Sequence, residues 1–178
     1  MNLPTILEAA AQLGNAYEFL LPVAPTLTLG FLKEMSKGQR ITYVDESLPV
    51  LRHSRAGIVA SGTATVEAAM MATPFVMVYR VSPLTYALGK PRIKVPHFAM
   101  VNLIAGEKVV PELVQSNFTA ENVVSRVKEI LGDGPSRTAM LEGFSRVRTL
   151  LHSPNSPVPR SAADQAADEV LALLPRGH

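Results

Sequence analysis

The run Ala60-Ser61-Gly62-Thr63-Ala64-Thr65-Val66-Glu67-Ala68-Ala69 carries the residue types that can hold an anion beside a diol. Gly62 lets a ligand approach the main chain closely. If a helix starts here, the N–H groups of Thr63, Ala64 and Thr65 have no partner inside it and face outward. The positive end of the helix dipole adds to the preference for negative charge. The hydroxyls of Ser61 and Thr63 can donate hydrogen bonds. Glu67, one helical turn further on, can accept a pair of hydrogen bonds from a ribose diol. The same residues also fit a purely structural role. Ser61 or Thr63 would then be the N-cap, with Glu67 a capping-box-like or solvated side chain. On the motif alone the two roles stand level. No P-loop lysine follows, which argues against ATP hydrolysis.

Other polar positions carry weaker signals. Arg80 closes an apolar run at the same edge of the fold, where a phosphate contact and a structural ion pair fit equally well. Tyr79 can stack on a ring or simply pack. Asn102 sits between Val101 and Leu103; an amide there can bond diphosphate oxygens or its own backbone, and on the residue alone the second is favoured. Lys90, Arg92 and Lys94 read as a solvated basic loop, slightly ahead of a role in attracting anionic lipid or an acceptor phosphate. Glu107 and Glu112 read as surface carboxylates. Arg137, Arg146 and Arg148 read as the solvated face of a helix. His53, His97, His152 and His178 share no helical spacing or partner motif, so no metal site is expected.

These positions need a scaffold, and the hydrophobic pattern supplies one. Helices are expected at Leu3 to Leu13, Thr26 to Met35, Ser47 to Ser54, Gly62 to Met71, Pro83 to Lys90, Ala120 to Leu131, Ser136 to Leu151 and Ala162 to Leu174. Thr119 caps the helix that begins at Ala120, and Val123, Val124, Val127 and Leu131 share one face of it. Short strands are expected at Tyr17 to Ala24, Arg40 to Val44, Ala56 to Ala60, Pro74 to Tyr79, and a fifth at His97 to Val101. Strands apolar on both faces and separated by helices imply a parallel sheet covered on two sides. Right-handed crossovers make that a doubly wound, Rossmann-like α/β sheet. Residues 1–152 are expected to form this Rossmann-like, ligand-binding domain. A proline linker at Ser153 to Arg160 and a closing helix occupy 153–178.

Composition narrows the partners. The chain has 178 residues, 47% hydrophobic and 18% charged, with Lys plus Arg 17 against Asp plus Glu 15. That suits one globular domain with a real core. A formal charge of +2 gives no case for nucleic acid. With no Cys, disulfides and thiolate metal sites are excluded. No apolar run reaches the roughly 18 residues that span a bilayer. The N-terminus lacks a signal-peptide pattern. A soluble or peripheral protein is expected.

Four tracts in order carry a family resemblance. They are Ala60 to Ala68, then Val78-Tyr79-Arg80-Val81-Ser82-Pro83-Leu84-Thr85-Tyr86, then Asn102-Leu103-Ile104-Ala105-Gly106, then Val110-Pro111-Glu112-Leu113-Val114-Gln115. Together with Leu20-Leu21-Pro22-Val23-Ala24-Pro25, the ordered set resembles lipid-A-disaccharide synthase over almost the whole chain. The resemblance implies the C-terminal, UDP-sugar-binding domain of a two-domain GT-B glycosyltransferase. Such enzymes join UDP-2,3-diacylglucosamine to 2,3-diacylglucosamine 1-phosphate, forming the lipid A disaccharide precursor and releasing UDP, with inversion at the anomeric carbon. The family's N-terminal acceptor domain and its Gly-Ser-Arg segment have no counterpart here. A fragment or truncated gene is therefore expected, with doubtful activity alone.

Carried over by position, the resemblance makes Glu67 the ribose ligand and Gly62, Thr63 and Ala64 the phosphate-side donors. It makes Asn102 the polar residue at the diphosphate and reaction centre. Val101 stands where the family usually has proline, and Glu107-Lys108 where it is typically basic. The implied partners are the two lipid substrates, a membrane surface reached through them, and a homo-oligomer or an N-terminal-half partner. The implied location is the cytoplasmic side of a Gram-negative inner membrane. No cofactor or metal is expected, the UDP-sugar being substrate. A different UDP-sugar transferase of the same architecture, such as one adding N-acetylglucosamine in peptidoglycan synthesis, is the alternative enzyme; the Tyr79 to Tyr86 and Asn102 tracts argue against it. A non-catalytic nucleotide-binding or assembly module is the other alternative.

Overall fold

The computed structural model describes residues 2–24, 26–82, 85–86, 95–151 and 162–173. The expected helix over 83–90, the basic cluster at Lys90, Arg92 and Lys94, the 153–160 linker, His152 and His178 lie wholly or largely outside those residues. The chain alternates helix and strand: α1 Leu3–Leu13, β1 Phe19–Pro22, α2 Leu29–Met35, β2 Ile41–Val44, α3 Ser47–His53, β3 Gly57–Ala60, α4 Ala64–Met70 and β4 Phe75–Tyr79. Then come α5 Met100–Ala105, β5 Glu112–Val114, a single 3₁₀ turn at Gln115–Asn117, α6 Ala120–Leu131, α7 Pro135–Leu151 and α8 Ala162–Ala172.

All strand pairs are parallel. Phe75, Val76, Met77 and Val78 of β4 are each fully buried. Successive strand residues point to opposite faces, so both faces of β4 are covered. This is the Rossmann-like α/β arrangement the pattern predicts. One detail differs. The ladders form two groups, β1-β2 and β3-β4-β5, where one sheet was expected. β3-β4-β5 carries the core, whereas β1 and β2 contribute no fully buried residue to it.

Local chemistry sets the boundaries. Pro4 sits in the first turn of α1, and Gly14 ends it with a φ of 80° and an N–H bond to the Ala10 carbonyl. The Thr28 hydroxyl oxygen accepts the Phe31 N–H, so α2 starts after Thr28 and later than expected. The Thr119 hydroxyl caps α6 through the Asn122 N–H at 3.2 Å. Below it Ala120, Val123, Val127 and Ile130 form the buried stripe. α6 packs on α1, β3, β4 and α7. The rings of Phe75 and Phe144 stack at 5.7 Å between β4 and α7.

The carbonyl end of α6 is held by two arginines. Arg55 Nε donates to Leu131 O at 2.7 Å, and Arg137 donates to Ile130 O at 2.9 Å. Both satisfy end carbonyls and place positive charge at the negative pole of the helix. The hydrogen bond from Arg55, with its charge, holds the exposed Asp133 carboxyl below its ordinary range.

The fifth strand is where the sequence reading is corrected. His97 to Val101 is not a strand. Its end enters α5, and β5 is Glu112–Val114. An apolar run of so few residues fits a helix entry as well as a strand. Gly106, at φ 69°, is the left-handed stop that marks the helix.

α7 approaches the loop before β5 at Gly143. A Cβ built there would stand 2.4 Å from Val109 Cγ1 and 3.3 Å from its Cβ. Overpacking costs about 1–3 kcal/mol, against about 1 kcal/mol gained in helix propensity. The Val109 Cβ cannot rotate away, which places the cost in the upper part of that range, so Gly143→Ala is expected to lower stability by about 1–2 kcal/mol net in urea titration. An unchanged midpoint would contradict this packing. Among the described residues, no helix is long and apolar enough to cross a membrane.

Candidate functional site

Parallel strands bring their carboxyl ends to one edge, and ligands of open α/β sheets bind there. A cleft of about 710 Å³ lies at this edge. Pro22 ends β1 and Val23 and Ala24 follow it, Asp45 to Pro49 follow β2, and Thr63 and Glu67 follow β3; all line it. Two of the expected site residues, Thr63 and Glu67, thus face one cavity.

The turn before α4 has the geometry a close-approaching anion needs. Gly62 has a φ of 143°, a region that L side chains rarely adopt. A Cβ there would meet nothing within 4 Å, so the glycine is required by the backbone and not by crowding. The Ser61 N–H bonds Val78 O at 3.0 Å, which ties the turn to the sheet. Among the described residues, the N–H groups of Gly62, Thr63 and Ala64 have no acceptor. Thr63 is exposed, and its side chain does not cap the helix. Glu67 is half-buried and its carboxylate has no hydrogen-bond or ionic partner among the described residues.

Two features of the turn differ from expectation. Thr65 is not a free donor. Its N–H and its hydroxyl both go to Gly62 O, at 3.2 and 2.7 Å, and it is fully buried. α4 begins at Ala64 and has 7 residues, because Gly62 is outside helical φ. Over so short a helix the local amides, more than the summed dipole, would carry anion affinity.

Ser61, Arg80 and Asn102 are committed elsewhere. Ser61 Oγ donates to Phe98 O at 3.0 Å, tying the turn to the approach of α5. Arg80 donates to Thr5 Oγ1 at 3.0 Å and to the Phe118 carbonyl, with its guanidinium 4.7 Å above the Phe118 ring. It joins α1 to the entry of α6, and among the described residues it makes no ion pair. Arg80→Met is expected to lower the melting temperature while leaving UDP affinity within about twofold, since uncharged replacement removes only internal bonds. A large affinity loss with normal melting would place Arg80 on the ligand instead. Tyr79 stacks on Phe98 at 6.3 Å and so packs.

Asn102 is 0% exposed. Its Oδ1 accepts the N–H groups of Val109 and Val110, both at 2.9 Å. Its Nδ2 donates to Val110 O at 3.0 Å and to Glu112 Oε1 at 2.8 Å. The amide is fully used inside the protein, so in this arrangement it pins the loop between α5 and β5 and does not reach the cleft.

Glu112 is likewise not a surface carboxylate. Its side chain is 14% exposed. It accepts from the N–H groups of Phe98 and Ala99 at the start of α5, as well as from Asn102. Glu107 does lie at the surface, bonded to Arg146 at 2.7 Å. Asp45 and Glu46 were passed over in the sequence. They stand just after β2, where the strand-end rule applied to β3 would have found them.

Comparisons with known proteins bear on the family and the fold. The family model described as lipid-A-disaccharide synthetase matches residues 1–174. The lipid-A-disaccharide synthase of Koribacter versatilis (strain Ellin345) is 47% identical over 180 residues, covering 99% of this chain and 47% of that protein. That of Acidobacterium capsulatum is 45% identical, covering 88% of this chain and 43% of that protein. The chain thus spans about half the length of the curated relatives it matches. In fold it is similar to the calicheamicin glycosyltransferase CalG4, with a TM-score of 0.55 at 20% identity over 95% of this chain and 39% of that one. A match running from the first helix through the last described one, over the turn at Gly62 and the tract around Asn102, leads to one conclusion: the chain belongs to the lipid-A-disaccharide synthetase family.

Proposed function

We propose that this chain holds the UDP-sugar in the transfer that forms the lipid A disaccharide precursor. The donor is UDP-2,3-diacylglucosamine and the acceptor is 2,3-diacylglucosamine 1-phosphate. One observation carries the reading: Thr63 lines one cleft with Glu67, one helical turn on, and among the described residues the amides of Gly62, Thr63 and Ala64 have no acceptor and the Glu67 carboxylate no partner. Diphosphate oxygens suit the amides, and the ribose diol suits the carboxylate. Asp45 and Glu46 add negative charge on the wall after β2. They repel phosphate there and leave the Gly62 side as the anion end.

An acceptor hydroxyl attacks the anomeric carbon, the bond to the diphosphate breaks, and UDP leaves with the electron pair. The amides and the Thr63 hydroxyl stabilise the charge that develops on the leaving group. This assigns the charge to fixed dipoles and requires no metal. The acceptor proton passes to a base on the part of the full-length family proteins that this chain does not span. The lipid substrates bring the protein to the cytoplasmic face of the inner membrane.

The test mixes this chain with the remaining portion of a full-length relative and assays disaccharide formation from the two lipid substrates. Transfer that needs both pieces, and fails with Glu67→Ala, is expected. UDP binding without transfer in the mixture would favour a binding or assembly module, and no UDP binding would overturn the reading.

A further inference from the structure

We infer that Glu112 is a positioning residue for the Gly62 turn, acting through Phe98 and Ser61; this rests on the reading that the turn holds the UDP-sugar. Glu112 opens β5, and its carboxylate receives Phe98 N–H at 3.0 Å, Ala99 N–H at 2.9 Å and Asn102 Nδ2 at 2.8 Å. His97 Nδ1 lies 3.9 Å from the same oxygen. A carboxylate that is 14% exposed and takes this many donors is held in one orientation. The peptide it grips continues outward. The Phe98 carbonyl accepts Ser61 Oγ at 3.0 Å, and the Phe98 ring stacks on Tyr79 at the end of β4. Ser61 is also bonded through its N–H to Val78 O. The residue before Gly62 is therefore clamped from two sides, one by the sheet and one by Glu112 through a single peptide.

This clamp has a purpose that packing does not require. The φ of 143° at Gly62 belongs to a flexible residue with open space around it, and within the turn only the two bonds from Thr65 to its carbonyl restrain it. Amides aimed at an anion stabilise it only when they are held beforehand. Glu112 supplies that hold at a distance and touches no ligand itself. Asn102 belongs to the same device, since it holds both Glu112 and the loop that leads into β5.

The test uses Glu112→Gln, Ser61→Ala and the double variant of this chain, titrated calorimetrically with UDP. Amide exchange of Ser61 and Thr65 is followed without ligand. Glu112→Gln should lose about three- to tenfold in UDP affinity, and it should lose less than about twofold when Ser61 is already alanine. Exchange at Ser61 and Thr65, bonded on either side of the turn, should accelerate in both single variants ahead of the core strands. A general structural defect would instead give losses that add and exchange that rises everywhere. If Glu112→Gln fails to fold, unchanged exchange at Ser61 and Thr65 in Ser61→Ala overturns the proposal. Normal wild-type UDP binding with unaltered Glu112→Gln affinity overturns this inference alone. No wild-type binding overturns the functional reading with it.

Discussion

Asn102→Leu is expected to cost the chain about 3–6 kcal/mol of stability, and not merely to blunt a ligand contact. Leucine keeps the branched outline of the side chain, is bulkier than the amide, and removes every bond it makes. The Val109 and Val110 N–H groups lose their acceptor, Val110 O loses a donor, and Glu112 loses one of its donors. Each buried polar group left without a partner costs about 1–3 kcal/mol. Domains of this kind are stable by only about 5–15 kcal/mol, so the loss is a large share of the total. Urea unfolding followed by circular dichroism reads it directly. A variant that melts like the wild type yet loses UDP affinity would show that the amide turns outward to the ligand.

Glu67→Ala should behave in the opposite way, leaving the fold intact and weakening UDP binding about ten- to a hundredfold. Hydrogen bonds to a charged group contribute about 1.5–3 kcal/mol each, and the opening of the cleft to water reduces that share. The side chain is half-buried and has no partner among the described residues, so its removal strands nothing. Calorimetric titration with UDP, beside a melting curve, separates the two effects. Equal affinity would remove the ribose assignment.

The two residues differ in how much the sequence discloses. Glu67 is legible because its partner geometry is local: strand, glycine, helix, and one turn to a carboxylate. Asn102 is not. An amide between apolar neighbours announces that it needs partners. Its partners at Val109, Val110 and Glu112 depend on how the chain returns from α5 to β5. The return itself is hidden, because the short apolar run from Phe98 to Val101 fits a buried strand as well as a helix entry. Arg80 fails for a similar reason. Its position at a strand end was correct, but Thr5 and the Phe118 carbonyl reach it from elements far away in sequence.

The long helices were read almost to the residue, α1 and α6 with both ends as expected, because caps and glycine stops act locally. The parallel α/β class followed from strands apolar on both faces. The split between β1-β2 and β3-β4-β5 did not, since the pattern within a strand does not say which strands pair. Asp45 and Glu46 were within reach of the same strand-end rule that found Thr63 and Glu67. Glu112 was not, because nothing beside it in sequence shows that it meets the start of α5.

The most direct measurement is a UDP titration of the isotopically labelled chain followed by the backbone amide resonances. The account predicts that the largest shifts fall on Gly62, Thr63 and Ala64, with Glu67 and the residues after β2 next, and little change at Arg80. Shifts confined to surfaces away from this cleft, or none at saturating UDP, would contradict it.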